Sequence, residues 1–256
     1  MSTSPLAAVG VSKRFGDLDV LRDIHLVIER GEFVAVVGPS GCGKTTFLNL
    51  LSGHDEPTSG SVRRTGQVRM IHQQGGLFPW LTVAENIRLG LRDVASAERE
   101  QQLAAILALI RLEAFASHYP RQISGGMQQR VELARALVGE ADILLMDEPF
   151  SALDYFARLR LRVELARLLR ERPRTVVLVT HDVNEAAQLA DRVVVLSGRP
   201  GTVRYELKLD LPLPRALTHP VVVDAVHRIL HELGLESDTY DASEPANAAA
   251  GIEDEA

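Results

Sequence analysis

A glycine-rich octapeptide between an apolar segment and a helical segment constrains the fold more than any other feature. Residues 38–45 read Gly-Pro-Ser-Gly-Cys-Gly-Lys-Thr and directly follow the β-rich apolar residues 33–37. Residues 44–51 then carry a helical pattern that Gly53 ends. Glycines let a backbone wrap around an anion with its N–H groups, and a helix N-terminus adds partial positive charge. This strand, loop and helix therefore predict a phosphate-binding loop in an α/β sheet.

The octapeptide matches the P-loop pattern, which assigns a role to several of its side chains. Lys44 is predicted to reach the β and γ phosphates of a nucleotide, Thr45 to present its hydroxyl to Mg²⁺, and Thr46 to bond phosphate. A chance glycine-rich turn is the alternative, which the strand before it and the helix after it disfavour. The predicted nucleotide-binding residues of this segment are Gly38, Pro39, Ser40, Gly41, Cys42, Gly43, Lys44, Thr45 and Thr46.

Two adjacent carboxylates at the end of another apolar run supply the second half of this chemistry. Residues 143–146 read Ile-Leu-Leu-Met, and Asp147 and Glu148 follow them. Ligands of α/β sheets lie at the carboxyl ends of the strands. Asp147 is therefore predicted to support Mg²⁺, directly or through water, and Glu148 to accept a proton from the attacking water. On spacing alone, an acidic pair that caps a following helix is the alternative.

The rest of the pattern predicts a sheet whose alternation is interrupted by helices. A strand pair is expected within residues 62–71, and the apolar spacing becomes helical from about residue 77. Strands alternating with helices return at residue 143 and predict a covered parallel sheet, and no internal repeat is found. The expected helices cover residues 103–110, 126–137, 155–170, 184–190 and 221–233, and the later strands cover residues 176–179 and 193–196.

Composition bounds the class of protein. The chain has 256 residues, of which 46% are hydrophobic, enough to bury the core of one large domain or two small lobes. The longest uncharged apolar run, residues 103–110, is eight residues long, whereas a membrane helix needs about 20. No secretory signal pattern opens the sequence, and its one cysteine, Cys42, cannot form an internal disulfide. These features predict a cytoplasmic protein that does not cross a bilayer.

The negative charge is concentrated at the C-terminus. The net charge is −6, but seven acidic residues and neither Lys nor Arg lie beyond residue 235, so the body is near +1. A near-neutral body lacks the basic face that nucleic-acid binding usually needs, so nucleic acid is not an expected partner. Residues 1–241 are expected to form one nucleotide-binding domain and residues 242–256 a disordered acidic tail.

A third segment carries a resemblance to a known family. Residues 123–130 read Ile-Ser-Gly-Gly-Met-Gln-Gln-Arg and lie between the glycine-rich loop and Asp147. They resemble the signature of ABC ATPases; by themselves they are equally compatible with an ordinary capped helix. Residues 151–154, Ser-Ala-Leu-Asp, resemble the dimer-contact loop of that family, and His181 in Thr-His-Asp corresponds to its γ-phosphate switch. The similarity covers roughly residues 6–233, and the chain is identified as a member of the ABC ATPase family.

The resemblance implies both a fold and a mechanism. The implied fold is a P-loop NTPase (RecA-like) α/β core with an antiparallel β-subdomain and an α-helical subdomain inserted at about residues 77–137. In the family, the signature grips the nucleotide of a partner subunit, so Ser124, Gly125 and Gly126 are expected to complete an ATP site in a homodimer. Glu148 would then act on the water, and His181 would stabilise the transferring phosphoryl group.

Two further site residues follow from alignment with the family. Gln73 matches the loop glutamine that links Mg²⁺ to the helical subdomain, although the adjacent Gln74 is an alternative for this position. Phe15 matches the aromatic residue that stacks on adenine, with a plain surface-strand aromatic as the alternative. The Leu-Phe-Pro-Trp run at residues 77–80 and the Arg-Pro-Gly run at residues 199–201 resemble importers of nitrate, aliphatic sulfonates and taurine.

The resemblance also implies partners that the chain itself does not contain. These are separate membrane-spanning permease subunits and, for an importer, an extracytoplasmic solute-binding protein, with the chain at the cytoplasmic face of the inner membrane. Another solute or export stays open as an alternative. A non-transport ABC ATPase acting on DNA or ribosomes is less expected, because the chain has neither a long coiled coil nor a second cassette. A P-loop kinase is disfavoured by the signature and by His181.

Overall fold

Helices and strands alternate along most of the chain. The computed structural model describes residues 4–72, 76–92, 94–139, 141–171 and 173–235. The strands are β1 (Leu6–Phe15), β2 (Leu18–Ile28), β3 (Phe33–Val37), β4 (Ser59–Arg64), β5 (Val68–Ile71), β6 (Ile143–Asp147), β7 (Thr175–Val179), β8 (Arg192–Leu196) and β9 (Val203–Lys208). The α-helices are α1 (Lys44–Ser52), α2 (Val83–Gly90), α3 (Ser96–Ile110), α4 (Gly125–Val138), α5 (Tyr155–Glu171), α6 (Val183–Leu189) and α7 (Pro220–Glu232).

A six-stranded sheet in the order β5-β6-β7-β3-β8-β9 forms the centre of the fold. Its strand pairs are parallel except for the antiparallel pairing of β9 with β8. Every residue of β3, β6 and β7 is buried, as expected for strands of a parallel sheet that is covered on both faces. The apolar runs at residues 33–37 and 143–146 are therefore interior strands of this sheet, as the sequence predicts.

Two hydrophobic cores lie on opposite faces of this sheet. On one face, α1 packs Phe47 and Leu51 between the central sheet and a three-stranded sheet of order β2-β1-β4. On the other face, apolar side chains of α2 to α7 pack against Phe33, Ala35 and Val37. The alternation of side chains along β3 divides it between the two cores, since Val34 and Val36 face α1.

One prediction about the strands is wrong. Residues 62–71 do not form a strand pair, because β4 joins β1 in the antiparallel sheet and β5 joins β6 in parallel at the edge of the central sheet. Between them, Gly66 adopts a left-handed φ of 105°, and a Cβ there would lie 2.4 Å from a carboxylate oxygen of Asp142. The chain therefore passes from one sheet to the other at this glycine.

Helices α2, α3 and α4 lie in the chain between the neighbouring strands β5 and β6. Thr82 begins α2 with a capping box, in which its hydroxyl accepts from the Glu85 N–H and the Glu85 carboxylate accepts from the Thr82 N–H. The buried amide of Asn86 fixes the preceding turn by donating to the carbonyls of Phe78 and Leu81. This insertion is the α-helical subdomain of the expected fold class.

The predicted fold class is confirmed: an α/β core carries an antiparallel β-subdomain and an inserted helical subdomain. Within the described ranges, no helix is both long enough and apolar enough to span a bilayer. The predicted acidic tail at residues 242–256 lies outside the described residues.

Candidate nucleotide site

The predicted site residues converge because parallel strands share one carboxyl edge. Val37 ends β3, Asp147 ends β6 and Val179 ends β7, and strand pairing places these ends side by side. The glycine-rich loop follows β3, Glu148 follows β6 and His181 follows β7 by two residues. Segments that are far apart in the sequence therefore meet at the edge where ligands of α/β sheets bind.

The glycine-rich loop adopts a conformation that side chains would obstruct. Gly43 caps the start of α1 with a φ of 104°, and a Cβ there would lie 2.7 Å from a methyl group of Leu21. At Gly38, a Cβ would lie 2.9 Å from the Cys42 sulfur and 3.1 Å from the Leu196 carbonyl oxygen. The buried Cys42 packs beneath the loop, and burial raises the pKa of its thiol, so it is a packing residue in the described structure.

A 430 Å³ cavity opens above this loop at the N-terminus of α1. Lys44 Nζ donates to the carbonyl oxygens of Gly38 at 2.8 Å and Pro39 at 3.0 Å, which holds the ammonium group over the loop. An ammonium group and the positive end of a helix then face the same space, an arrangement suited to a polyphosphate. The residues lining the cavity are Phe15, Leu18, Val20, Ser40, Gly41, Gly43, Lys44, Thr45, Thr46, Glu148 and Arg199.

The aromatic residue predicted to contact the nucleotide base lies at the rim of the same cavity. Phe15 ends β1 and is 48% exposed, with Lys13 Nζ 4.6 Å from the centre of its ring. Its position beside the phosphate-binding loop leaves one apolar surface at the mouth of a polar cavity, where a base ring can stack.

Asp147 and Thr45 form an oxygen pair below the cavity. The Thr45 hydroxyl donates to Asp147 Oδ1 at 3.3 Å. Burial raises the pKa of the Asp147 carboxyl, and the negative charge of Glu148 raises it further, while the Thr45 hydrogen bond acts in the opposite direction. A buried carboxylate beside a second carboxylate is a site that a divalent cation would stabilise.

Glu148 and His181 face each other at the edge of the sheet. The Glu148 carboxylate lies 3.0 Å from His181 Nδ1, and the Glu148 N–H donates to the carbonyl of Val179 at 2.9 Å. Glu148 has a φ of 47°, in the left-handed region that glutamate seldom adopts. The predicted base and the predicted switch histidine are therefore direct neighbours in one subunit.

The signature residues lie apart from this cavity. Ser124 caps α4 by accepting from the Met127 N–H at 3.3 Å, and a Cβ at Gly126 would lie 3.0 Å from the Ala152 carbonyl oxygen. A Cβ at Gly125 would have no atom within 4 Å. None of these three residues is among the described residues that line the phosphate-loop cavity of their own subunit.

Gln73 and the alternative Gln74 lie outside the described residues. Their neighbour His72 follows β5 at the edge of the sheet where Asp147 ends β6, since Ile71 pairs with Met146. His72 acts electrostatically to lower the pKa of the Asp147 carboxyl.

Two residues of the site have contacts that sequence reasoning did not identify. Buried Gln129 donates to the Glu148 carbonyl at 3.1 Å and accepts from the Ala152 N–H at 2.9 Å, which ties α4 to the loop after Glu148. Arg199 donates to the Gly41 carbonyl through Nε at 3.1 Å and Nη2 at 2.9 Å and lines the cavity. In the sequence, the features that could have indicated these two residues were a glutamine inside the signature segment and an arginine in the turn after β8.

Comparison with known proteins decides the family. The family model described as ABC transporter matches residues 21–151, which hold the glycine-rich loop, the signature, Asp147 and Glu148. The chain belongs to the ABC transporter ATP-binding family. It is therefore an ATP-binding and ATP-hydrolysing subunit, as the sequence predicts.

Similar members of this ABC family are known from several bacteria. The chain is 42% identical over 223 residues to the aliphatic sulfonates import ATP-binding protein SsuB of Bacillus licheniformis, covering 83% of this chain and 86% of that protein. It is 43% identical over 238 residues to SsuB 1 of Paracoccus denitrificans, covering 92% of this chain and 96% of that protein. Both alignments cover most of both chains.

Solved ABC cassettes share the fold. A dimeric structure of the bacterial ABC transporter cassette MJ0796 matches with a TM-score of 0.72 at 35% identity, covering 80% of this chain and 99% of that one. A dimeric post-hydrolysis state of the same cassette, bound to ADP and Pi, matches with a TM-score of 0.71.

Proposed function

We propose that this ABC ATPase works as a nucleotide-sandwiched homodimer that energises the import of aliphatic sulfonates through a separate permease. One observation supports the sandwich above all: the phosphate-loop cavity of one subunit contains Lys44, Thr45 and Glu148 but none of the signature residues 124–126. A second copy, placed head to tail, would supply the missing Ser124, Gly125 and Gly126. The solved MJ0796 cassette is dimeric, which supports this assembly.

In the proposed mechanism, the glycine-rich loop and Lys44 hold the phosphates of ATP, and Phe15 stacks on its base. Backbone N–H groups at residues 124–126 of the partner subunit bind the γ-phosphate of the same ATP. Glu148 accepts a proton from the attacking water and His181 donates to the phosphoryl oxygens, which favours the transition state electrostatically. Loss of the γ-phosphate removes the anion that joins the two subunits, so the dimer reopens.

The oxygen donors at the base of the cavity fit a magnesium ion. Mg²⁺ prefers oxygen ligands and is usually held by one or two protein groups together with substrate phosphates. Thr45 and Asp147 offer such a pair, and Gln73 is proposed as a third ligand by alignment. Among the described residues, no group of three or more His, Cys, Asp or Glu forms a separate metal site. Bound there, the ion would neutralise phosphate charge.

The inserted helical subdomain offers a surface for the permease. Trp80 is 69% exposed, and its ring centroid lies 5.4 Å from that of Phe78, beside a 420 Å³ groove between the helical insertion and β5. Arg135 lies 5.6 Å from the centre of the Phe78 ring. Exposed aromatics beside an arginine are typical of protein-binding surfaces. We propose that the permease binds in this groove, which would hold the chain at the cytoplasmic face of the inner membrane. An extracytoplasmic solute-binding protein would bind the permease on the opposite side of that membrane.

The solute is proposed from the relatives, whose names specify aliphatic sulfonate import. The test is reconstitution of this chain with its permease in vesicles, with uptake of labelled alkanesulfonates, taurine among them, measured against nitrate. ATP-dependent uptake of an alkanesulfonate in preference to nitrate is the expected result. Preferential uptake of nitrate would overturn the solute assignment, and outward transport would overturn the direction.

A further inference from the structure

Two adjacent aromatic side chains project from the start of α5. Asp154 begins this helix by accepting from the Ala157 N–H at 2.9 Å, which places Tyr155 and Phe156 in its first turn. They are 64% and 72% exposed, and their rings meet edge to face at a centroid distance of 5.6 Å. Large aromatics are costly to leave in water, and a contiguous exposed pair marks a contact surface.

An apolar cavity of 520 Å³ lies between the phosphate-binding loop and α7. Val226, Leu230 and Leu233 of the α7 region and the following Leu235 line one wall. The other wall is formed by residues 38–40 of the phosphate-binding loop and by residues 181–184. Its apolar lining is unusual beside a phosphate-binding loop, because bound phosphate needs polar groups.

The positions of the two features connect them to the proposed dimer. The aromatic pair directly follows the dimer-contact loop at residues 151–154, and the cavity wall includes the phosphate loop and His181, which the partner must approach in a nucleotide sandwich. Tyr155 and Phe156 are not among the residues that line the cavity of their own subunit. In a two-fold dimer each feature occurs twice, so each aromatic pair has one cavity available to it on the partner.

We propose that Tyr155 and Phe156 of each subunit insert into the apolar cavity beside the phosphate-binding loop of the other subunit when ATP closes the dimer. This rests on the sandwich of the proposed function and adds to it a second, apolar contact outside the nucleotide sites. The contact forms only in the closed dimer, because the cavity wall at residues 38–40 and His181 belongs to the same surface as the ATP site. Closure then buries two aromatic pairs in addition to two nucleotides.

The first test measures dimer formation without turnover. All variants carry Glu148→Gln, and their assembly in Mg-ATP is measured by sedimentation velocity. The Glu148→Gln parent should be a dimer. Adding Tyr155→Ser and Phe156→Ser together should raise the dimer dissociation constant about tenfold or more, since buried aromatics dominate interface affinity. Phe115→Ser, an exposed aromatic between α3 and α4, is the matched control and should leave the constant unchanged. A monomeric parent would count against the sandwich, whereas a dimeric parent with an equally dimeric double variant overturns the aromatic contact alone.

The second test alters the cavity itself. Val226→Phe fills the space with apolar volume from within the subunit, so it should keep the melting temperature and the ATP affinity of the monomer while weakening the dimer to a similar extent. Unchanged dimer affinity in this variant would contradict the proposal. A lower melting temperature would show misfolding, in which case the cross-linking experiment below decides.

The third test reads proximity between the subunits. Phe156→Cys and Leu230→Cys are placed in separately tagged copies and mixed under mild oxidation, with Cys42 buried and left in place. A disulfide-linked heterodimer that needs ATP is the expected product, and Phe115→Cys with Leu230→Cys is the control pair. Absence of the ATP-dependent heterodimer overturns the proposal. If residues 236–256 cover the cavity of their own chain instead, their removal should lower the melting temperature and no such cross-link should form.

Discussion

At the residue scale, Glu148 is held in a conformation that its own preferences oppose. Its left-handed φ of 47° costs about 1–3 kcal/mol and persists only where surrounding contacts fix it. Here β7 accepts from its N–H through Val179, and α4 donates to its carbonyl through Gln129. The result is a carboxylate aimed at His181 and at the phosphate-loop cavity.

The first prediction concerns the proposed base. Glu148→Gln should keep ATP affinity and lower turnover by about 10²–10⁴-fold, because the amide preserves the shape of the side chain but cannot accept the proton. Phosphate release and nucleotide binding are measured on the same preparation, with Glu164→Gln, at a half-buried position of α5, as the control. Turnover at the wild-type rate would show that Glu148 is not the base.

The second prediction concerns Gln129, a positioning residue that links α4 to the loop after Glu148. Gln129→Ala should lower kcat with little change in KM for ATP and lower the free energy of unfolding by about 1–3 kcal/mol, because the Ala152 N–H loses its acceptor and the Glu148 carbonyl loses one of its donors. Gln129→Glu can still accept from Ala152 and should recover part of the stability but less of the rate. Gln101→Ala, on the exposed face of α3, is the control, and equal losses in both alanine variants would contradict this role.

The sequence specifies some site residues better than others. Lys44, Thr45, Asp147 and Glu148 are predictable, because each follows or begins a local element whose pattern is clear. Gln129 and Arg199 are not, because their partners are carbonyl and N–H groups of loops 19 to 158 residues away in the chain. Contacts of that kind depend on the assembled sheet and leave no local pattern.

At the element scale, a buried ion-pair network joins α5 to the start of α6. Arg162 lies 2.6 Å from the Asp182 carboxylate and 2.5 Å from that of Glu185, and Thr180 donates to Glu185 at 2.6 Å. Asp182 also caps α6 by accepting from the N–H groups of Asn184 and Glu185. Because His181 immediately precedes Asp182, this network fixes the chain beside the predicted switch.

The third prediction is a pH dependence that originates in this network. Burial raises the pKa of the Asp182 carboxyl, but the Arg162 charge and the hydrogen bonds from Arg162 and α6 outweigh it, so the folded-state pKa lies below the ordinary range of an aspartate. The stability that this carboxylate contributes is complete above its unfolded pKa and is lost as the pH falls through the folded one. Urea unfolding of wild type and Asp182→Asn, which keeps the cap, should differ at pH 7 and converge toward pH 3. A difference that is constant with pH would exclude this origin.

Some helices and strands can be predicted from the residues they contain, whereas others depend on residues far away in the sequence. Strands β3, β6 and β7 read as nearly continuous apolar runs, and α4, α5 and α7 begin and end within about one residue of the predicted positions. The boundaries of β1 and β2 were not predicted, because register shifts between Ala8 and Lys13 break the alternation of side chains. The pairing of β4 and β5 was predicted wrongly, because β5 finds its partner β6 about 75 residues later.

At the scale of the whole molecule, the two anion-binding elements lie on separate surfaces. The phosphate-binding loop follows β3 in the central sheet, whereas the signature begins α4 in the inserted helical subdomain. Among the described residues of one subunit, residues 124–126 do not line the phosphate-loop cavity. We propose that a second copy brings these two elements together, and a head-to-tail pair would do so twice.

The last prediction tests that arrangement by complementation. Lys44→Ala removes the ammonium group over the phosphate-binding loop, and Ser124→Arg places a bulky side chain at the cap of α4, so neither homodimer should hydrolyse ATP. In a heterodimer of the two, one composite site combines the intact loop of one subunit with the intact signature of the other. Mixing should therefore restore part of the activity, measured as phosphate release from dimers purified through both of two different tags. Arg30→Ala, away from the site, serves as a control subunit.

If heterodimers purified in this way remain as inactive as the parents, then either each subunit uses its own signature or both sites must act together. Normal hydrolysis by either single variant alone would show that the role proposed for that residue is wrong.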